Sequence, residues 1–196
     1  SRQASIDLLK EDFPITKFDR QLAKMAEGLS ALLKSHPDNK TIVEIVNKYI
    51  LEDQAFQVDR AKLFESNLES LLFNRVLTQK RGQCLSLSLL YLCLAERLNL
   101  PLYGVMVPGH FFVRYDKNGS SLNIETTDRG TTYPDEYYQK VYLTAAGDKG
   151  PLKNLSKKEV IAVYLSNLAN QYKLKGDHKK TIDIFLFVMT IIPDDA

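Results

Sequence analysis

Residues 81–115 read RGQCLSLSLLYLCLAERLNLPLYGVMVPGHFFVRY, and the fold turns on this stretch. From Cys84 to Leu98, apolar side chains occupy nearly every side of a helical wheel. A helix that is apolar all round is buried at the centre of a fold, not laid on its surface. It opens just after Gly82 and closes at Asn99, ahead of Pro101. Beyond it, Leu102 to Val107 and His110 to Tyr115 have strand composition, with Pro108-Gly109 as the turn between them. Asp116 to Gly119 is a further turn signal, and Ser121 to Glu125 reads as a third short strand. A buried helix followed by three antiparallel strands is an α+β core.

Towards the N-terminus the chain reads as helical scaffold. From Phe18, the positions Leu22, Met25, Ala26, Leu29, Leu32 and Leu33 recur at three and four residues, with Pro37 closing the helix. A second helix carries Ile42, Ile45, Val46, Tyr49 and Ile50, capped by Asp38 or Asn39. A third runs through Leu63, Leu68, Leu71, Leu72 and Val76.

Towards the C-terminus, residues 126–154 are punctuated by Gly130, Pro134, Gly147, Gly150 and Pro151, with a short helix expected near Asp135 to Val141. Ser156 and Glu159 form a capping-box signal, and two helices follow, broken at Lys175-Gly176-Asp177. In this pair Leu165, Leu168, Ala169, Tyr172, Gly176, Phe185 and Pro193 fit a tetratricopeptide pattern. Small Ala169 lets the helices approach, while Tyr172 and Phe185 are expected to fill the seam. Thr181 and Val188 stand where that pattern prefers alanine. A single repeat cannot bury its own outer face, so it must pack on the core or on further repeats.

Composition sets the broad class. The 196 residues are 44% hydrophobic and 26% charged, which suits a globular chain and excludes a disordered one. Net charge is +2 with basic residues scattered, so neither nucleic acid nor an anionic membrane is an expected partner. No apolar run approaches the roughly 20 residues of a membrane span. Ser1 opens the chain, and no basic segment followed by an apolar stretch marks a leader. The cytoplasm is the expected compartment, with a removed leader as the alternative. Two cysteines cannot make a disulfide framework, so each thiol needs its own explanation.

Cys84 follows Arg81-Gly82-Gln83 at the first turn of the buried helix. There it faces the positive end of the helix dipole, which stabilises a thiolate. Backbone N–H groups of that turn lack intrahelical partners and could hold an oxyanion. The plainer reading is a small buried hydrophobe, and Cys93, nine residues on and about 13 Å along the helix, fits it. That separation also excludes a disulfide between the two.

His110 opens the second strand and Glu125 ends the third. With a four-residue loop at Asp116 to Gly119, His110 falls opposite Glu125. With Asn118-Gly119 alone as a type I′ loop, His110 pairs with Thr127 and Glu125 becomes its diagonal neighbour. Either register puts both on one face, because strand side chains alternate with period two; a three-residue loop would separate them. Phe111, Val113, Tyr115, Leu122 and Ile124 then form the opposite, core-facing surface. Glu125 would orient the imidazole, and the imidazolium would stabilise the Cys84 thiolate. Two competitors stand beside this triad: an ion pair of Glu125 with Arg114 on the same face, and Asp128 as a second acid.

Arg81-Gly82-Gln83-Cys84 opening a helix, Pro108-Gly109-His110 opening a strand and Asn123-Ile124-Glu125 ending the next resemble the transglutaminase-like superfamily. Within it the chain is most similar to the SirB-like branch, in which such a core is joined to tetratricopeptide repeats. The resemblance spans roughly Leu63 to Tyr142 plus the terminal repeat. It implies a papain-like core whose cysteine, histidine and acid fall on Cys84, His110 and Glu125. The superfamily's acid is usually aspartate; here it is a glutamate, one methylene longer. The implied organisation is a transglutaminase-like unit over residues 1–143, divided into a helical subregion 1–80 and a catalytic core 81–143. A linker over 144–155 and a tetratricopeptide repeat over 156–196 follow.

The expected function is cysteine-dependent acyl transfer or amide hydrolysis on a protein or peptide, with partners recruited through the repeat. The alternative is a non-catalytic interaction module on the same core. No cofactor and no metal are expected: His36 and His178 lack metal-ligand company, and there is no phosphate-binding loop. Lys157-Lys158 and Lys179-Lys180 read as solvated helix faces, and Tyr133, Tyr137, Tyr138 and Tyr142 as packing more than groove lining.

Overall fold

The computed structural model describes residues 15–35, 38–60, 68–143 and 152–192. The expected positions Pro37, His36, Leu63, Gly147, Gly150, Pro151 and Pro193 lie outside these, as does most of the expected linker. Helix α1 spans Ile15–Leu32 and buries Leu22, Met25, Ala26 and Leu29, the stripe its periodicity predicts. Helix α2 spans Asn39–Lys48, and Asp38 caps it by accepting from the Thr41 N–H. It passes directly into a π-helical turn, Tyr49–Asp53.

The third expected helix is two. Helix α3 is Leu68–Leu71 and α4 is Phe73–Gln79, separated by Leu72 in an extended conformation. The break has a physical partner: the Tyr164 hydroxyl donates to the Leu71 carbonyl at 3.2 Å and accepts from the Phe73 N–H at 3.4 Å. Tyr164 therefore satisfies backbone groups that the interruption frees. Its own sequence position, ninety-odd residues on, gives no local hint of this.

A two-residue parallel pair joins β1, Gln57–Val58, to β2, Arg81–Gly82. It ties the end of the helical scaffold to the segment that leads into helix α5, Cys84–Leu98. Helix α5 is the central element, with Leu87, Leu90, Tyr91 and Leu94 fully buried and Asn99 closing it in the left-handed region. It lies across a four-stranded antiparallel sheet of β3 Leu102–Val107, β4 His110–Lys117, β5 Ser120–Glu125 and β6 Thr131–Tyr133. Strand β6 is an addition to the expected three. At three residues, after Arg129 and Gly130 at positive φ, it is too short to show an alternation in sequence.

The β4–β5 turn is the two-residue version. Lys117 pairs with Ser120, and Asn118 and Gly119 both take positive φ, as a type I′ turn requires. Each face of the sheet is covered. Val113, Tyr115 and Ile124 join the main core with α5, while Phe111 packs beside Leu85 and Val160. On the opposite face Phe112, Val105 and Val107 meet Tyr138 and Leu143. These last come from α6, Asp135–Tyr138, and the π-helical turn Gln139–Leu143 that continues it.

Arg114, on that second face, is buried and fully engaged. It donates to Asn123 Oδ1 at 2.7 Å, to the Leu152 carbonyl at 3.1 Å and to Asp135 Oδ1 at 2.6 Å. The Leu155 N–H then donates to the Gly104 carbonyl, so chain beyond the sheet is stitched to the β3 edge.

A C-terminal helical hairpin completes the α+β fold: α7, Lys157–Leu174, and α8, His178–Ile191. The Ser156–Glu159 capping box is present in both directions. Ala169 is fully buried at the seam, as its size suggests, but Phe185 is 37% exposed. Thr181 and Ile184, three residues apart, fill the seam instead, because the helix phase turns Phe185 away from it. Val160 of α7 docks on the sheet at Gly104, where an added Cβ would lie 2.4 Å from the Phe111 ring and 3.0 Å from Val160. Gly104→Ala should therefore cost about 1–3 kcal/mol by overpacking a closed site. Urea unfolding monitored by circular dichroism would show it as a lower midpoint with little change in slope.

Candidate active site

Cys84 is the first residue of α5, with Gln83 as the N-cap. The first intrahelical bond runs from the Leu87 N–H to the Gln83 carbonyl, so the Cys84 and Leu85 N–H groups precede it. The turn is held from both sides. Ser86 Oγ accepts from the Gln83 N–H at 2.9 Å and donates to the Ser70 carbonyl at 2.7 Å. Gly82 is required here by space: a Cβ would stand 2.7 Å from Ser86 Oγ. Cys84 itself is half-buried, against Leu71, Leu85 and Phe111.

His110 and Glu125 reach one another on the Phe112 face of the sheet. His110 Nε2 lies 2.6 Å from Glu125 Oε2. The observed register puts them diagonally across β4 and β5, the second of the two arrangements compatible with the sequence. Cys84 lies near enough to the imidazole to help raise the His110 pKa. The structure thus joins His110 and Glu125 directly and places Cys84 in their neighbourhood.

Arg114 does not hold Glu125, and Asp128 does not take its place beside His110. Arg114 is committed to Asp135 and Asn123, and Asp128 accepts from the Tyr133 hydroxyl at 2.6 Å. The second carboxylate oxygen of Glu125 accepts from both the N–H and the hydroxyl of Thr127. The Tyr138 hydroxyl approaches the first oxygen at 3.4 Å. The carboxylate is therefore fixed at both ends.

Burial works against charge on both partners, and their mutual contact overcomes it. Burial lowers the His110 pKa, but the hydrogen bonds to Cys84 and Glu125 and the charge of Glu125 outweigh that and raise it to about 9. Burial would raise Glu125, yet its bonds to His110 and Thr127 hold the carboxyl below the ordinary value. Tyr142 stacks on the imidazole at 5.0 Å with 9° between the planes, a geometry that favours a cationic ring. Tyr138 stacks on Phe112 at 3.8 Å beneath it.

Thr127 is a site residue that the sequence left unassigned, and Tyr138 and Tyr142, read there as packing more than groove lining, lie against the His110–Glu125 pair. A faint signal existed for each. Thr127 shares a strand face with Glu125 at i+2, and Tyr138 and Tyr142 share a helix face at i+4. Cys93 plays no part in the site: it lies partly buried against the main core, and burial pushes its thiol up. Among the described residues no group of three or more histidines, cysteines or carboxylates could hold a metal ion. Among the same residues, no helix is long and apolar enough to cross a membrane.

The family profile of the transglutaminase-like superfamily fits residues 16–163. The chain belongs to this superfamily.

Two relatives and one solved structure set this transglutaminase-like chain in context. UPF0162 protein PA3419 of Pseudomonas aeruginosa is 30% identical over 198 residues, covering 90% of this chain and 72% of that protein. F-box only protein 21 of Mus musculus is 30% identical over 102 residues, covering 52% of this chain and 16% of that one. The crystal structure of a TGase superposes with a TM-score of 0.48 at 16% identity, covering 71% of this chain and 41% of its own.

The ion pair gives a pH-dependent stability with a definite sign. His110, raised from 6.5 to about 9, contributes fully below pH 6.5 and loses that contribution as pH rises through about 9. Glu125, lowered from 4.5, contributes above pH 4.5 and loses it as pH falls through its depressed value. Glu125→Gln should therefore be less stable than wild type by about 3 kcal/mol between these limits, the scale for breaking a buried pair. Denaturant unfolding across pH would show the two proteins converging above about pH 9 and in acid.

Proposed function

We propose that this chain is a cysteine-dependent acyl-transfer or amide-hydrolysing enzyme acting on a protein or peptide, with Cys84, His110 and Glu125 as its catalytic residues. The observation that carries this reading is the 2.6 Å His110–Glu125 contact, with Cys84 near enough to the imidazole to help raise its pKa. In this account Cys84 gives its thiol proton to His110, and the sulfur attacks a carboxamide or peptide carbonyl, forming the C–S bond as the carbonyl π electrons move onto oxygen. The developing oxyanion is held by N–H groups of the first turn of α5. As the C–N bond breaks, His110 gives a proton to the leaving amine. Water or a second amine, deprotonated by His110, then attacks the thioester and releases Cys84. Glu125 keeps the imidazole oriented and supports its charged form, and Thr127 keeps Glu125 in place. No cofactor enters this sequence of steps.

The same proposal divides the chain into a transglutaminase-like unit, residues 1–143, a linker, 144–155, and a tetratricopeptide repeat, 156–196, that recruits a protein partner. Support for a recruiting role comes from α8, where Ile182, Leu186 and Met189 are all exposed. That face also favours a second reading, a non-catalytic interaction module on this core, and the two are separated by the thiol. Under the enzyme reading, iodoacetamide labels Cys84 at neutral pH about tenfold or more faster than Cys93, and His110→Ala abolishes the difference. Peptide mass mapping of partially labelled protein reads both rates at once. Equal rates for the two thiols, indifferent to His110, would leave the interaction reading in place.

A further inference from the structure

Four cations that are dispersed in the sequence converge in the fold. Lys48, Arg60, Arg81 and Arg129 line one cleft of about 690 Å³, within the size range of ligand sites. They come from the end of α2, the stretch after β1, strand β2 and the turn before β6. Among the described residues, Glu44 and Glu52 are the only acids on its wall. Glu44 is already paired with Lys40 at 3.8 Å. Among the described residues Arg60, Arg81 and Arg129 have no carboxylate partner, and all three are exposed. Among the described lining residues, four positive against two negative groups leave an excess of two positive charges in one recess of a chain whose whole net charge is +2. Such a recess raises the local concentration of anions.

The cleft also adjoins the candidate triad. Thr126 and Thr127 form part of its wall. The Thr126 hydroxyl lies 3.4 Å from the Cys84 carbonyl, and Thr127 donates to Glu125. Arg81 precedes Cys84 by three residues. An occupant of the cleft thus lies against the backbone that carries the nucleophile and the acid.

We infer that this cleft binds an acidic peptide segment, seating the Asp- or Glu-rich flank of a substrate beside the carboxamide presented to Cys84. The inference rests on the proposed function for its connection to chemistry, but the binding itself does not. Guanidinium groups suit carboxylates because their paired N–H donors match the two oxygens. Apolar wall from Leu51, Phe56 and Val58 accommodates the chain between its charges. Glu52 and Glu44 within the same wall make the recess a poor track for a continuous phosphate backbone, where every step carries like charge.

The test is fluorescence anisotropy with a short Glu-rich labelled peptide, its all-Gln counterpart and a single-stranded oligonucleotide, using Cys84→Ala protein so that no chemistry intervenes. The Glu-rich peptide should bind about tenfold or more tightly than the Gln peptide and weaken as salt is raised. Arg60→Glu/Arg129→Glu should lose that preference while unfolding at the wild-type temperature, since both side chains are exposed. Equal affinity for the Glu and Gln peptides, or an unchanged preference in the double variant, would overturn the inference. So would tighter binding of the oligonucleotide than of the Glu-rich peptide. Acidic-peptide binding by a protein whose Cys84 alkylates no faster than Cys93 would retain the cleft and remove the enzyme. An activated Cys84 without acidic preference would do the reverse.

Discussion

The pairing register of β4 against β5 is the constraint on which the site depends. Two residues, Asn118 and Gly119, take the positive φ values that close the strands, and every pairing from Lys117–Ser120 to Val113–Ile124 follows. A slip of one residue would send Glu125 to the opposite face, towards α5, and leave a buried carboxylate with no imidazole. It would also swing Ile124 away from the main core, where it is fully buried. Core packing and the polar pair therefore select the same register, and each penalises the alternative that would destroy the other.

Around that register the structure solves a problem of access. The proposed nucleophile sits on an element that must be buried, yet in that role it must approach a side chain from the sheet and remain reachable. Placing Cys84 at the first turn of α5 achieves this: the helix body is buried, while its first residue is half-exposed. Ser86, Ser70 and Gly82 hold that turn, and α6 with its π-helical extension roofs the other side with Tyr138 and Tyr142. The hairpin α7–α8 contributes to the same frame, since Val160 presses on Gly104 and Tyr164 caps the α3–α4 break.

Much of this was legible in the sequence because it is local. The all-apolar run from Cys84 to Leu98, the alternation from His110 to Glu125 and the Ser156–Glu159 capping box each signal one element through nearest neighbours. The pairing of His110 with Glu125 was legible for the same reason, as a consequence of period-two geometry and a short turn. What escaped depends on distant partners. The interruption at Leu72 is stabilised by a tyrosine of the last hairpin, and β6 is defined by pairing with β5, not by its own three residues. The orientation of Phe185 followed from helix phase in the docked hairpin, which a repeat pattern alone does not set. The convergence of Arg60, Arg81 and Arg129 could not be seen in a charge count, because the residues are brought together only by folding.

If Cys84, His110 and Glu125 behave as one electrostatic unit, an NMR titration of the His110 ring will show it. With only three histidines in the chain, assignment by single substitution is straightforward. The midpoint should lie near 9 in the wild type and fall towards 6.5 in both Cys84→Ala and Glu125→Gln. A wild-type midpoint near 6.5 that neither substitution moves would contradict it.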